Sequence, residues 1–236
     1  DSNMKKILLI PLMMLTMMPM AACDGSNADP ILPEQPGQPG NSDGGDEDDS
    51  TDPTNPIPGG NGRYLVFYCS RTGSTERMAQ QIQQTLDCDI LEVEPQTPYE
   101  SDYNGMLNRA QEELAAIRQG NYPAIKTSVE DFGNYDIVFV GYPIWYGSMG
   151  TPMQTFLHNH ASKLAGKRIA LFASSGSSGI SASVDEVRTL CSGATFTETL
   201  LLTSSTLSQM GNRIRTWLET LGASRENNHP STSMHV

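Results

Sequence analysis

Cysteine is scarce and never closely spaced: Cys23, Cys69, Cys88 and Cys191 include no C-x-x-C pair, which argues against a dithiol redox centre or a thiolate metal site. Basic residues are few as well. Fifteen Lys and Arg stand against 27 Asp and Glu, a net charge of -12 that excludes a basic nucleic-acid binder. Histidine offers no metal constellation, because His158 and His160 lie two apart on a predicted helix and so point to different faces. Three phosphate and hydrolase signatures are absent: G-x-x-x-x-G-K-[ST], G-x-G-x-x-G after a strand, and the G-x-S-x-G elbow. No catalytic residue and no metal ligand are therefore nominated.

The N-terminal apolar run, Ile7 to Met18, falls short of the roughly 20 residues that a membrane span needs. Lys5 and Lys6 precede it, and Met20-Ala21-Ala22-Cys23 follows Pro19, which together make the pattern of a secretory signal. Met20 to Cys23 resembles a bacterial lipobox, and that resemblance implies lipidation of Cys23 and anchoring of an exported chain to a membrane. Asp1, Ser2 and Asn3 stand upstream of Met4, the expected initiator, and are read as vector-derived or upstream residues. The plain alternative is a cleaved, soluble secreted form.

Asp24 to Asn61 is Pro, Gly, Asp, Ser and Asn with few apolar residues, and it carries nine acidic residues from Asp24 to Asp52 with no basic one among them. Such a composition cannot bury enough surface to offset its ordering entropy, so 23–62 is expected to be a disordered acidic tether. Residues 223–236 are expected to be a disordered tail, leaving 63–222 as one folded domain after a leader at 1–22. Cys69, Cys88 and Cys191 each lie in or beside an apolar stretch of that domain. They read as buried small hydrophobes, with one disulfide among the three left open.

Within the domain, short apolar runs alternate with helical stripes. Tyr64 to Cys69 reads as a strand, and Met78, Ala79, Ile82 and Leu86 fall at helical spacing behind it. Asp89 to Val93 predicts a second strand, followed by a stripe of Leu107, Ala110, Leu114 and Ile117 that Gly120 closes. Ile137–Val140 and Ile169–Phe172 are continuous apolar runs, as in strands covered on both faces of a parallel sheet. Met153, Phe156, Leu157 and Leu164 form the stripe after the first of these, and Val184, Val187 and Leu190 the stripe after the second. A fifth strand is expected within Thr195 to Leu202, before a helix with Ile214, Trp217, Leu218 and Leu221. Five strands and five helices in alternation predict an α/β three-layer sandwich, a parallel sheet with helices on both faces. In such sheets ligands bind beyond the carboxyl ends of the strands, at the switch point.

Three loops fall there. Ser70-Arg71-Thr72-Gly73-Ser74-Thr75 opens into a helix and offers hydroxyls, backbone N–H groups and the positive dipole end to one anionic group, a phosphate. An ordinary N-cap with a serine-rich turn is the simpler alternative. Gly141 to Pro152 holds Pro143, Ile144, Trp145, Tyr146 and Gly147, where aromatic residues among glycine and proline either present a flat apolar surface or plug the sheet end. Ser174-Ser175-Gly176-Ser177-Ser178-Gly179 is a third turn of small residues before a helix.

The first loop resembles the [ST]-x-T-G-x-T motif of flavodoxins. The second and third resemble the G-x-P-I-W-x-G and [ST]-S-G-G-S-G stretches of a flavodoxin-like subgroup among bacterial oxidoreductases, with Tyr146 in place of a second tryptophan and Ser177 in place of a glycine. The resemblance spans Arg63 to Leu221 and implies the sheet order 2-1-3-4-5 and bound flavin mononucleotide (FMN). It implies that Ser70, Thr72, Gly73, Ser74 and Thr75 hold the phosphate. Pro143 to Gly147 would face the flavin ring, and Ser174, Ser175 and Gly176 its pyrimidine edge. Arg71 sits at the variable position, and no phosphate contact is assigned to it.

The implied activity is electron transfer, as an FMN-dependent oxidoreductase of quinone-reductase type. A one-electron carrier between protein partners is the alternative, favoured by acidity and by the lack of a long insertion in the last strand. A redox-silent surface binding module is the third reading. The electron donor and acceptor are not named by any residue, and the only membrane contact implied is the lipid.

Overall fold

The computed structural model describes residues 63–133 and 135–225. The expected leader, the lipidation site Cys23, the tether and the tail beyond Arg225 lie outside the described residues.

β1 (Tyr64–Tyr68) is the centre of the switch, pairing in parallel with β2 (Asp89–Glu92) on one side and β3 (Ile137–Trp145) on the other. β5 (Arg168–Ser175) extends the sheet beyond β3, and β6 (Thr195–Phe196) and β7 (Leu200–Thr203) lie end to end along the outer edge of β5. Counting β6 and β7 as one row, five parallel rows run in the expected 2-1-3-4-5 sense.

Strand periodicity divides the core into two layers. Tyr64, Val66 and Tyr68 of β1 join Met78, Ala79, Ile82 and Leu86 of α1 (Ser74–Leu86) and Ile214, Trp217 and Leu218 of α5 (Met210–Thr220). Leu65 and Phe67 point the other way. They meet Phe156 and Leu157 of α3 (Thr151–His160) and Val184 and Val187 of α4 (Ser181–Leu190). This is the period of two expected of strands buried on both sides. α2 (Tyr103–Ile117) sits over the end of β3, where Met106 and Ala110 cover Trp145.

The last strand is broken where one continuous strand was expected. Between Phe196, paired with Ile169, and Leu200, paired with Phe172, the chain advances four residues against three on β5, which is a one-residue bulge. The displaced carbonyl of Glu198 accepts a hydrogen bond from Trp217 Nε1 at 2.9 Å, so the break leaves that group satisfied.

The expected tail also starts too early. Ala223 is buried, the Ser224 N–H donates to Tyr64 Oη at 3.3 Å, and Arg225 pairs with Asp87 at 3.2 Å. The packed unit therefore runs at least to Arg225.

Cys69, Cys88 and Cys191 are all buried and free. Burial pushes the thiols of Cys69 and Cys88 up to about 12 and that of Cys191 to about 11. A thiol reagent at neutral pH is expected to label none of the three in the native protein and all three after denaturation, as counted by mass spectrometry. Fast native labelling would contradict this burial.

His160 is buried as a neutral ring. Its Nδ1–H faces the Phe156 carbonyl at 2.8 Å, and its Nε2 accepts from the Val129 N–H at 3.2 Å. Burial lowers its pKa, so the unfolded chain binds a proton more readily than the folded one. Stability is therefore expected to be full above the ordinary histidine range and to fall as pH drops below about 6.5. Urea unfolding of wild type and His160→Gln across pH 5 to 8 should show that slope in the wild type only. His158 has a different setting, stacked on Tyr122 at 3.8 Å and exposed to solvent.

Candidate cofactor site

The three expected loops come together at the carboxyl edge of the sheet. Gly73 caps α1 at φ +83°, a left-handed conformation that L side chains rarely adopt, and its N–H donates to Ser70 Oγ at 3.2 Å. No side chain caps this helix, so its first-turn N–H groups keep their capacity for an external acceptor. Ser74 and Thr75 are buried in that first turn, while Thr72 is exposed. The Thr75 hydroxyl lies 2.8 Å from Ser174 Oγ, and this contact ties the first loop to the third.

Ser175 follows on β5, with its hydroxyl buried and without a hydrogen-bond partner. A buried hydroxyl without a partner costs desolvation energy, so this one, at the end of β5, keeps unused hydrogen-bonding capacity beside the Thr75–Ser174 contact. Gly176 presents its carbonyl, with that of Ser175, to the Ser204 N–H at 3.1 Å. The turn Thr203–Thr206 thus belongs to the same edge, and there Thr206 Oγ1 accepts from the Thr203 N–H at 2.8 Å. It was missed because a Ser/Thr-rich turn at the end of a sequence-predicted strand has no motif to mark it.

The second loop is more regular than expected. β3 runs through Pro143 and Ile144 to Trp145 and returns as β4 (Ser148–Met149), with Tyr146 (φ +51°) and Gly147 (φ +78°) at the corner. Two consecutive left-handed residues are the mark of a type I′ hairpin. Three ties hold it: the Met149 N–H donates to Glu186 Oε2 (2.9 Å), Gln154 Nε2 to the Met149 carbonyl (2.7 Å), and the Gly150 N–H to the Pro143 carbonyl (2.9 Å).

Of the two readings of these aromatics, the plug describes Trp145 and the presented surface Tyr146. Only 7% of the Trp145 surface is exposed, and its ring meets Tyr99 edge-on at 5.1 Å and 78°. Tyr146, 50% exposed, is the ring on offer to a ligand. Gly141 makes room for the ring of Phe172.

Arg71 makes a structural contact. Its Nη2 lies 3.2 to 3.3 Å from the carbonyls of Glu100, Ser101 and Asp102. Behind Trp145, the Tyr99 hydroxyl donates to Glu113 Oε2 at 2.5 Å and lies 2.7 Å from Thr151 Oγ1. Burial and that carboxylate raise the Tyr99 pKa far above the ordinary phenol range, so the phenol stays protonated. Among the described residues no cluster of His, Cys, Asp and Glu could hold a metal ion, and no helix is long and apolar enough to cross a membrane.

A doubly wound parallel sheet with helices on both faces defines the class as a three-layer α/β sandwich. The flavodoxin family model matches residues 63–221, and the chain belongs to that family. Among solved structures, a candidate flavoprotein from Bacteroides eggerthii is 32% identical, with a TM-score of 0.57 over 68% of this chain and 98% of that one. A second, from Bacteroides uniformis, is 28% identical, with a TM-score of 0.55 over 66% and 99%. A flavoprotein from Lactobacillus acidophilus, solved in complex with FMN, shares the fold at 24% identity and a TM-score of 0.51, over 63% and 97%. No curated protein matches the chain.

Proposed function

We propose that the chain binds FMN and transfers electrons, acting as an FMN-dependent oxidoreductase. The observation that carries this reading is the convergence on one sheet edge of the uncapped α1 N-terminus, the Thr75–Ser174 contact and the partnerless buried hydroxyl of Ser175. These donors suit a phosphate and the polar edge of a ring. The FMN complex of the Lactobacillus acidophilus relative supports the choice of ligand.

Ser70, Thr72, Gly73, Ser74 and Thr75 would hold the phosphate, Pro143 to Gly147 the ring, and Ser174, Ser175 and Gly176 its polar edge. Bound FMN supplies the redox chemistry, while the protein orients it and limits its access to water. Adding FMN to the purified protein should give a stoichiometric yellow complex, and a protein that stays colourless overturns the reading.

One-electron carriage is the second reading. The last strand is interrupted by a single-residue bulge rather than by a long insertion, so among the described residues no extra lobe grows from it. An anaerobic redox titration separates the two: a single two-electron wave supports the oxidoreductase, and two resolved one-electron steps support the carrier.

Export and lipid anchoring through Cys23 are part of the proposal, supported by the lipobox-like Met20 to Cys23. Metabolic labelling with palmitate in a bacterial host should mark the wild type and not Cys23→Ala. Equal labelling of both would remove the anchor.

A further inference from the structure

A cavity of about 420 Å³ opens beside the carboxyl ends of β1 and β2, and of the residues assigned to the cofactor it touches only Ser70 and Trp145. The rest of its wall comes from Cys69 and Arg71 at the end of β1, from Val93 to Pro95 leaving β2, from Pro98 to Ser101, and from Lys126 and Pro152. The volume lies within the range of about 300–1,000 Å³ usual for small-molecule sites.

The outer wall is an irregular segment that two arginines hold from opposite ends. Arg71 takes the carbonyls of Glu100, Ser101 and Asp102, and Arg109 donates to those of Pro98 at 2.8 Å and Thr97 at 2.9 Å. Arg109 also lies over the Tyr99 ring at 4.1 Å and pairs with Glu113 at 2.8 Å. Tyr99, fixed at its hydroxyl by Glu113 and Thr151, forms the inner wall with Trp145. With its carbonyls bound in this way, the segment cannot collapse onto the apolar surface beneath it without breaking those hydrogen bonds. These contacts build the space.

Its chemistry is specific. Val93, Pro95, Pro98 and Pro152 give rigid apolar walls beside the two aromatic rings. Formal charge over the lining sums to zero, because Lys126 is paired with Glu94 at 2.8 Å and Arg71 and Glu100 carry one charge of each sign. Ser70 and Ser101 add hydroxyls at the edge.

We propose that this cavity is a second ligand site, which takes an uncharged planar molecule of one or two aromatic rings bearing hydroxyl or carbonyl groups. It shares Ser70 and Trp145 with the cofactor site but draws its other walls from outside it, so it does not require FMN to be bound.

The test is a titration of the isotope-labelled full chain with 2-naphthol, followed by amide chemical shifts, with and without FMN. Saturable shifts are expected at Val93, Glu94, Ser101 and Lys126, with a dissociation constant that FMN changes by no more than about threefold. Ser101→Trp, which fills the cavity from its exposed rim, should weaken 2-naphthol by about tenfold or more and leave FMN affinity unchanged. If that variant does not fold, the shift map of the wild type alone decides. Absence of saturation, shifts scattered over the surface, or displacement of 2-naphthol by FMN would each overturn the proposal. If FMN does not bind and the 2-naphthol shifts remain, the cofactor reading fails and this one stands.

Discussion

Gly73→Val is expected to weaken FMN binding by about a hundredfold while leaving the protein folded. At φ +83° an L residue is strained by about 1–2 kcal/mol, and a β-branched one by more, so the loop must shift. That shift moves the first-turn N–H groups of α1, on which the phosphate reading depends. Hydrogen bonds to a charged group contribute about 1.5–3 kcal/mol each, and about 1.4 kcal/mol is a factor of ten, so losing the aim of one or two gives this magnitude. Gly120→Val is the matched control, because Gly120 has the same φ of +83° with nothing within 4 Å of an added Cβ, and it lies at the far end of α2. The two variants should lose similar stability in urea, and only Gly73→Val should lose FMN. Equal affinities would detach this loop from the phosphate.

Gly141→Ala is expected to be the most destabilising single methyl group in the domain, by about 3 kcal/mol. An added Cβ would lie 2.1 Å from Phe172 Cζ and 2.2 Å from its Cε2. Phe172 has nowhere to go, since its ring is fully buried and packs edge-on against Trp217 at 6.3 Å. The same residue is in register with Gly141 across β3 and β5, so the clash falls in the middle of the sheet. Urea unfolding should show the loss, and Phe172→Leu in the Gly141→Ala background should restore part of it. A double-mutant cycle with no coupling would place the cause elsewhere.

The architecture was legible because its strands are covered on both faces, so Ile137–Val140 and Ile169–Phe172 stand out as apolar runs between helical stripes. The three loops were legible because their small and hydroxyl residues sit where strands end. What was not legible depends on distant partners. Trp145 is buried because α2 brings Met106 and Ala110 over it, and no local pattern announces that. The bulge before Leu200 turns the Glu198 carbonyl to the indole of Trp217, far along the chain. The wall from Thr97 to Asp102 is held by side chain to carbonyl bonds from Arg71 and Arg109, and the acceptors are backbone atoms that every residue has. Tyr146-Gly147 carried a local signal in its glycine, but the tyrosine in a left-handed position hid the hairpin.

The phosphate cradle is the centre of this account, and comparing FMN with riboflavin tests it most directly because the two ligands differ only by the phosphate. Titrating the purified protein with each and following flavin fluorescence should show FMN binding at least about a hundredfold more tightly than riboflavin, by the same charge-assisted bonds. Equal affinity for the two, or no binding of either, would contradict it.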